Sequence, residues 1–66
     1  MEVKIMIYNI TDNRVSIDYY FFEMDTENNI HIYSKGMKYL TVIEIGYYLD
    51  FEQFKEICNQ WFLENN

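Results

Sequence analysis

Residues 15–24 read Val-Ser-Ile-Asp-Tyr-Tyr-Phe-Phe-Glu-Met, and how their side chains are dealt to the two sides of a backbone decides the fold. Val15, Ile17, Tyr19 and Phe21 alternate with Ser16, Asp18, Tyr20 and Phe22. A period of two is the signature of a β-strand. The stretch therefore predicts one strand running from Val15 to about Met24.

The same period continues to either side. Val3, Ile5 and Ile7 alternate with Lys4, Met6 and Tyr8, which predicts a first strand over roughly residues 2–10. Thr11-Asp12-Asn13 is turn chemistry, since Asp and Asn bond their own backbone and tolerate positive φ. After Met24, Asp25 to Asn29 reads as a second polar turn and Ile30 to Tyr33 as a short third strand. Ser34-Lys35-Gly36 turns the chain again, with Gly36 suited to φ above zero. Tyr39 to Tyr47 reads as a fourth strand, β-branched at Thr41, Val42, Ile43 and Ile45, with Gly46 at a bulge or an exit. Short polar links predict antiparallel pairing of neighbours, because parallel pairing needs long crossovers.

Residues 50–64 change period. Phe51, Phe54, Ile57, Cys58 and Trp61 make one apolar stripe of a helix. Asp50 is a natural N-cap, and Gln53 three residues on completes a capping box. Leu49 and Phe54 sit at hydrophobic-staple spacing. Glu52 suits the positive end of the helix dipole. The expected fold is α+β: a four-stranded antiparallel meander followed by one C-terminal helix on one sheet face, ββββα, in a single domain over residues 1–66.

One helix covers one face. A straight reading gives the helix Val3, Ile5, Ile7, Val15, Ile17, Tyr19, Phe21, Ile30, Ile32, Thr41, Ile43 and Ile45. It leaves open a face of Lys4, Met6, Tyr8, Ser16, Asp18, Tyr20, Phe22, Met24, His31, Tyr33, Leu40, Val42 and Glu44. Aromatic residues and Met among isolated charges resemble an interface. Met6, Tyr8, Tyr20, Phe22, Met24, His31 and Tyr33 are therefore the expected partner-binding residues. A bulge in any strand would exchange its two sets.

Composition narrows the function. The chain has 66 residues, half of them hydrophobic and 20% aromatic. A domain this short buries only about 60% of its unfolded surface. Cys58 has no second cysteine to pair with, and no Cys/His cluster has zinc-ligand spacing. Association is one remaining source of stability. The net charge of −6 disfavours nucleic acid and anionic membrane and favours basic protein surfaces. A lone cysteine and no signal-like start point to a reducing cytoplasm, the host's if the chain is phage-encoded. The longest apolar run, Tyr19 to Phe22, is far too short to span a bilayer.

Chemical motifs are weak. His31 and Cys58 fall on different elements with no motif around them, and a cysteine on a helix stripe is ordinarily a buried inert thiol. Asp25-Thr26-Glu27-Asn28-Asn29 spaces oxygen ligands as a calcium loop does, but Ile30 and Gly36 replace that loop's Gly and closing Glu. Asp18 and Glu44 lack a concave pocket in which paired carboxylates work. Tyr8, Tyr20, Phe22 and Tyr33 suit base stacking, yet Lys4, Arg14, Lys35 and Lys38 are too few for a positive groove. We therefore expect no catalytic, cofactor or metal site and no direct nucleic-acid binding.

Glu23, Asp25 and Glu27, with Glu52 and Glu56 on the helix, form either an ordinary solvated surface or a spread of charge imitating a phosphate backbone. In size and charge the chain resembles phage and mobile-element anti-defence proteins, including anti-CRISPR proteins and DNA mimics. The likeness rests on no motif and carries over no residue. It implies an inhibitor that blocks a basic nucleic-acid-binding surface of a partner protein. The alternative is a structural or accessory homodimer whose open aromatic face is its own interface.

Overall fold

The structure, a computed structural model, describes residues 13–65 and the backbone of residues 7–11. Expectations that fall on Val3, Lys4, Ile5, Met6 and Asp12 lie outside the described residues. The chain forms one open antiparallel sheet followed by a single C-terminal helix packed on one face, the expected α+β meander and helix. Its elements are β1 (Ile7–Thr11), β2 (Arg14–Ile17), β3 (Tyr20–Met24), β4 (Ile30–Ser34), β5 (Lys38–Ile43) and α1 (Phe51–Asn65). The strands lie side by side in chain order.

The sheet has one more strand than a straight reading of residues 15–24 predicts. Ile17 pairs with Tyr20, so Asp18-Tyr19 is a two-residue hairpin loop, and Val15 pairs with Phe22. Asp18 takes φ 55°. A two-residue hairpin needs such a left-handed position, and Asp tolerates it better than most residues.

The hairpin reverses the facing of the rest of β3. Directly paired residues share a face. Tyr20, Phe22 and Met24 therefore join Val15 and Ile17 under the helix, while Phe21 and Glu23 turn to the open side. This corrects the expected faces. Phe22 is fully buried, Tyr20 and Met24 pack against the core, and Tyr19 is exposed. The physical gain is plain: a straight strand would leave three large apolar side chains in water.

The core combines Val15, Ile17, Phe22, Ile30 and Ile32 from the sheet with Leu49, Phe54, Cys58 and Phe62. Ile43, Ile45, Phe51, Ile57 and Trp61 are partly buried against it. The predicted helix stripe is thus correct, with Phe62 as an addition. Trp61 meets Tyr20 edge to face at 5.2 Å and Phe22 at 5.7 Å, and Phe62 meets Tyr20 at 5.9 Å. Aromatic edges and faces attract through their quadrupoles, beyond the area they bury.

The helix begins as its sequence dictates. The Gln53 N–H donates to Asp50 Oδ1 at 2.8 Å, and the Asp50 N–H donates to Gln53 Oε1 at 3.0 Å. This is a reciprocal capping box, and each bond satisfies an N–H that the first turn would otherwise leave unbonded. Leu49 and Phe54 are both buried in the core, as the staple spacing requires.

β5 ends at Ile43, earlier than the expected strand. Beyond it, the Ile45 N–H donates to Asn29 Oδ1 and the Gly46 N–H to the Asn28 carbonyl, so the link to the helix is tied to the β3–β4 loop. Gly46, at φ 76°, is the exit. The β4–β5 register slips by one residue at Leu40: Thr41 pairs with Ile32 but Tyr39 with Tyr33.

Candidate functional site: the open sheet face

Two rows of register partners cross the uncovered face. Ser16, Phe21, Tyr33 and Tyr39 form one row, on β2, β3, β4 and β5. Arg14, Glu23, His31 and Val42 form the other. The first is aromatic and the second is charged. Tyr8 pairs with Ser16 in register, which aligns β1 with the aromatic row.

In the aromatic row, Tyr33 and Tyr39 stand edge to face at 5.4 Å. Phe21, Tyr33 and Met37 line a hollow of about 330 Å³ whose rim carries Arg14 and Glu23. Met37 reaches it from the β4–β5 turn, where it takes φ 64° beside Gly36 at φ 85°. At the same end of the sheet the Lys35 ammonium lies 5.0 Å from the centre of the exposed Tyr19 ring, within cation–π range.

The charged row is neutralised from within. The Arg14 guanidinium Nε donates to Glu23 Oε2 at 2.8 Å. Beside it, His31 links two elements. Its Nε2 lies 2.7 Å from Asp25 Oδ2 and its Nδ1 lies 3.2 Å from the Tyr39 hydroxyl. A carboxylate only accepts, so Nε2 carries the proton toward Asp25. In the neutral ring Nδ1 then accepts from Tyr39.

Asp25 also organises its loop. Its Oδ1 accepts the N–H groups of Glu27 and Asn29, and Asn28 takes φ 64° to close the turn. Both carboxylate oxygens are engaged inside the protein, as in a turn-forming aspartate and unlike a calcium ligand. The Asn29 N–H foremost, then His31 and the Glu27 N–H, hold the Asp25 carboxyl below its ordinary value.

A pH dependence follows. A carboxyl whose folded pKa is depressed contributes stability that is complete above its unfolded pKa. That stability is lost as pH falls through the folded one. Stability is therefore expected to drop below about pH 4 through this group, and Asp25→Asn is expected to flatten that acid limb. Urea titrations at several pH values check it; equal slopes for the two proteins would remove Asp25 from the acid response.

The structure separates the sequence-derived candidates. His31 and Tyr33 lie on the open face, whereas Tyr20, Phe22 and Met24 lie under the helix; Met6 lies outside the described residues. Phe21, Tyr39 and Met37 take the places that the straight-strand reading gave to Tyr20, Phe22 and Met24. Cys58 is buried in the core, and burial pushes its thiol well above the ordinary range. The sheet stands between it and His31, so the two do not form a nucleophile and base. Among the described residues no group of His, Cys, Asp and Glu is placed to hold a metal ion. No helix among them is long and apolar enough to cross a membrane.

The acidic residues divide likewise. Glu23 is bound to Arg14, Asp25 to His31, and Glu52 to Lys55 at 3.0 Å. Glu27 and Glu56 are exposed. No protein-family model, curated protein or solved structure matches the chain.

Proposed function

We propose that this protein is a non-catalytic binding module that inhibits a partner by covering a basic, nucleic-acid-binding surface with its acidic helix side. One observation supports this above others: charge is segregated in the fold. Glu44, Asp50, Glu52, Glu56 and Glu64 are exposed on the helix and the link leading into it. Glu27 joins them, because the β3–β4 loop is tied to that link at Ile45 and Gly46. Lys55 is the one cation in this group, and it is paired with Glu52. Arg14, Lys35 and Lys38 stand on the strands and their hairpin tip instead. A surface with one sign of charge steers an opposite surface toward it and sets the orientation of encounter.

Glu23 is neutralised by Arg14 and Glu52 by Lys55, and Asp25 is engaged by its own loop and His31. The reading therefore narrows to Glu27 and Glu56. Their combined reversal to lysine is expected to abolish capture of a basic partner at low salt, while Glu23→Gln leaves it near wild type. Wild-type capture is expected to weaken as salt rises and to be undone by added duplex DNA. Capture of the same partner by the reversed variant, or indifference to DNA, would show that the acidic side does not carry binding.

A further inference from the structure

We infer that the open aromatic face is the seat of a second copy of this chain, joined face to face about a two-fold axis. The face is unusually apolar for a sheet side turned to water, where polar residues are the norm. Met37 is 61% exposed and Tyr39 50%. Ring contact between Tyr33 and Tyr39 and the hollow shared by Phe21, Tyr33 and Met37 join them into one patch. Large contiguous patches of this kind mark binding surfaces.

Charge identifies the occupant. Two copies of a chain at −6 repel wherever their acidic surfaces approach. This face is the exception. Glu23 is matched by Arg14, and both Asp25 oxygens are taken up by hydrogen bonds within the protein. A basic protein is drawn instead to the helix side, and a nucleic acid is repelled by the whole molecule. An aromatic surface whose acids are engaged internally meets its own copy with less repulsion than the acidic helix side does. A two-fold axis lets the same residues serve both sides. A standard interface takes about 800 Å² from each partner, roughly a sixth of the 4873 Å² of accessible surface. The acidic helix sides are left free on the outside of such a dimer.

The sign of the salt effect separates this contact from the proposed inhibitory one. Salt screens the repulsion between two acidic copies, so self-association holds or strengthens as salt rises. Binding of the acidic side to a basic partner weakens under the same change.

Sedimentation equilibrium over a dilution series, at low and high salt, tests the inference on the full chain. The expected result is a reversible dimer of twice 8.2 kDa that is not weakened by salt. Tyr39→Glu and Met37→Asp change exposed side chains, and each is expected to raise the dimer Kd by about 30-fold or more, as loss of a central anchor does. Circular dichroism confirms that these variants remain folded, and Glu56→Lys on the helix is expected to leave the dimer intact. A monomer at every concentration and salt overturns the inference. So does a dimer that survives both face variants yet is broken by Glu56→Lys.

Discussion

Phe22→Ala is expected to bring the domain close to its unfolding midpoint at room temperature, while Phe21→Ala leaves it folded. The two residues are neighbours of the same type, so nothing but their facing distinguishes them. Phe22 is fully buried and meets the Trp61 edge, whereas Phe21 is half-buried on the open face. Truncating a buried phenylalanine costs about 3–5 kcal/mol, since the surroundings relax only partly into the cavity. A chain of this length has roughly 3–10 kcal/mol in all, at 0.05–0.15 kcal/mol per residue. The loss therefore takes most of the stability. Phe21→Ala is expected to cost about 1 kcal/mol, the ordinary figure for a position without a cavity to leave. Urea melts of the two variants side by side provide the measurement. A straight strand through residues 15–24 predicts the opposite ranking, so a costlier Phe21 variant would refute the Asp18-Tyr19 hairpin.

Trp61→Ala is expected to be of similar size, about 3–5 kcal/mol, but to act differently. Trp61 holds the later turns of the helix to β3 through Tyr20 and Phe22. Its removal leaves the capping box at Asp50 and Gln53 untouched. The expected variant keeps part of its sheet signal while the helix loses its seat. Trp61 is the single tryptophan, so its fluorescence goes with it. Circular dichroism in urea is the suitable measure. A variant as stable as wild type would place the helix somewhere other than over β3.

These contrasts show where the sequence was legible. The helix was readable to its first residue, because cap, box and staple are local chemistry written within six positions, Leu49 to Phe54. Its stripe was readable because 3.6-residue spacing is a property of one element alone. The meander was readable from its polar links. The hairpin inside residues 15–24 was not, because alternation persists straight through a two-residue loop. Tyr19-Tyr20-Phe21-Phe22 carried the warning: four aromatic residues in a row cannot be sorted by a period of two. Asp18, able to take positive φ, stands directly before them.

The error at that turn passed to every residue after it in β3, and so to the candidate interface. Tyr20, Phe22 and Met24 were expected outside and are inside. His31 and Tyr33 were placed correctly because their strand is read from its own isoleucines, Ile30 and Ile32. Neither Met37 nor Tyr39 was singled out, since only the three-dimensional path of the β4–β5 turn brings them beside Phe21 and Tyr33. The pairing of Arg14 with Glu23 depends on the hairpin register as well.

The chain-order sheet also governs how the molecule comes together. Every strand pairs with its immediate neighbour in sequence, so four successive hairpins close with short loops. Loop closure is cheapest and quickest for such local contacts. The helix is the exception, since seating Trp61 on Tyr20 joins the two far parts of the chain. The local pairings of the meander are accordingly expected to form ahead of the seating of the helix. In the interval both sides of the sheet are wet, and Phe22 and Tyr33 are equally available to a neighbour. A chain that meets another during that interval is exposed to contact through either side of its sheet. The speed with which residues 51–65 arrive thus sets how long Phe22 stays exposed to other chains.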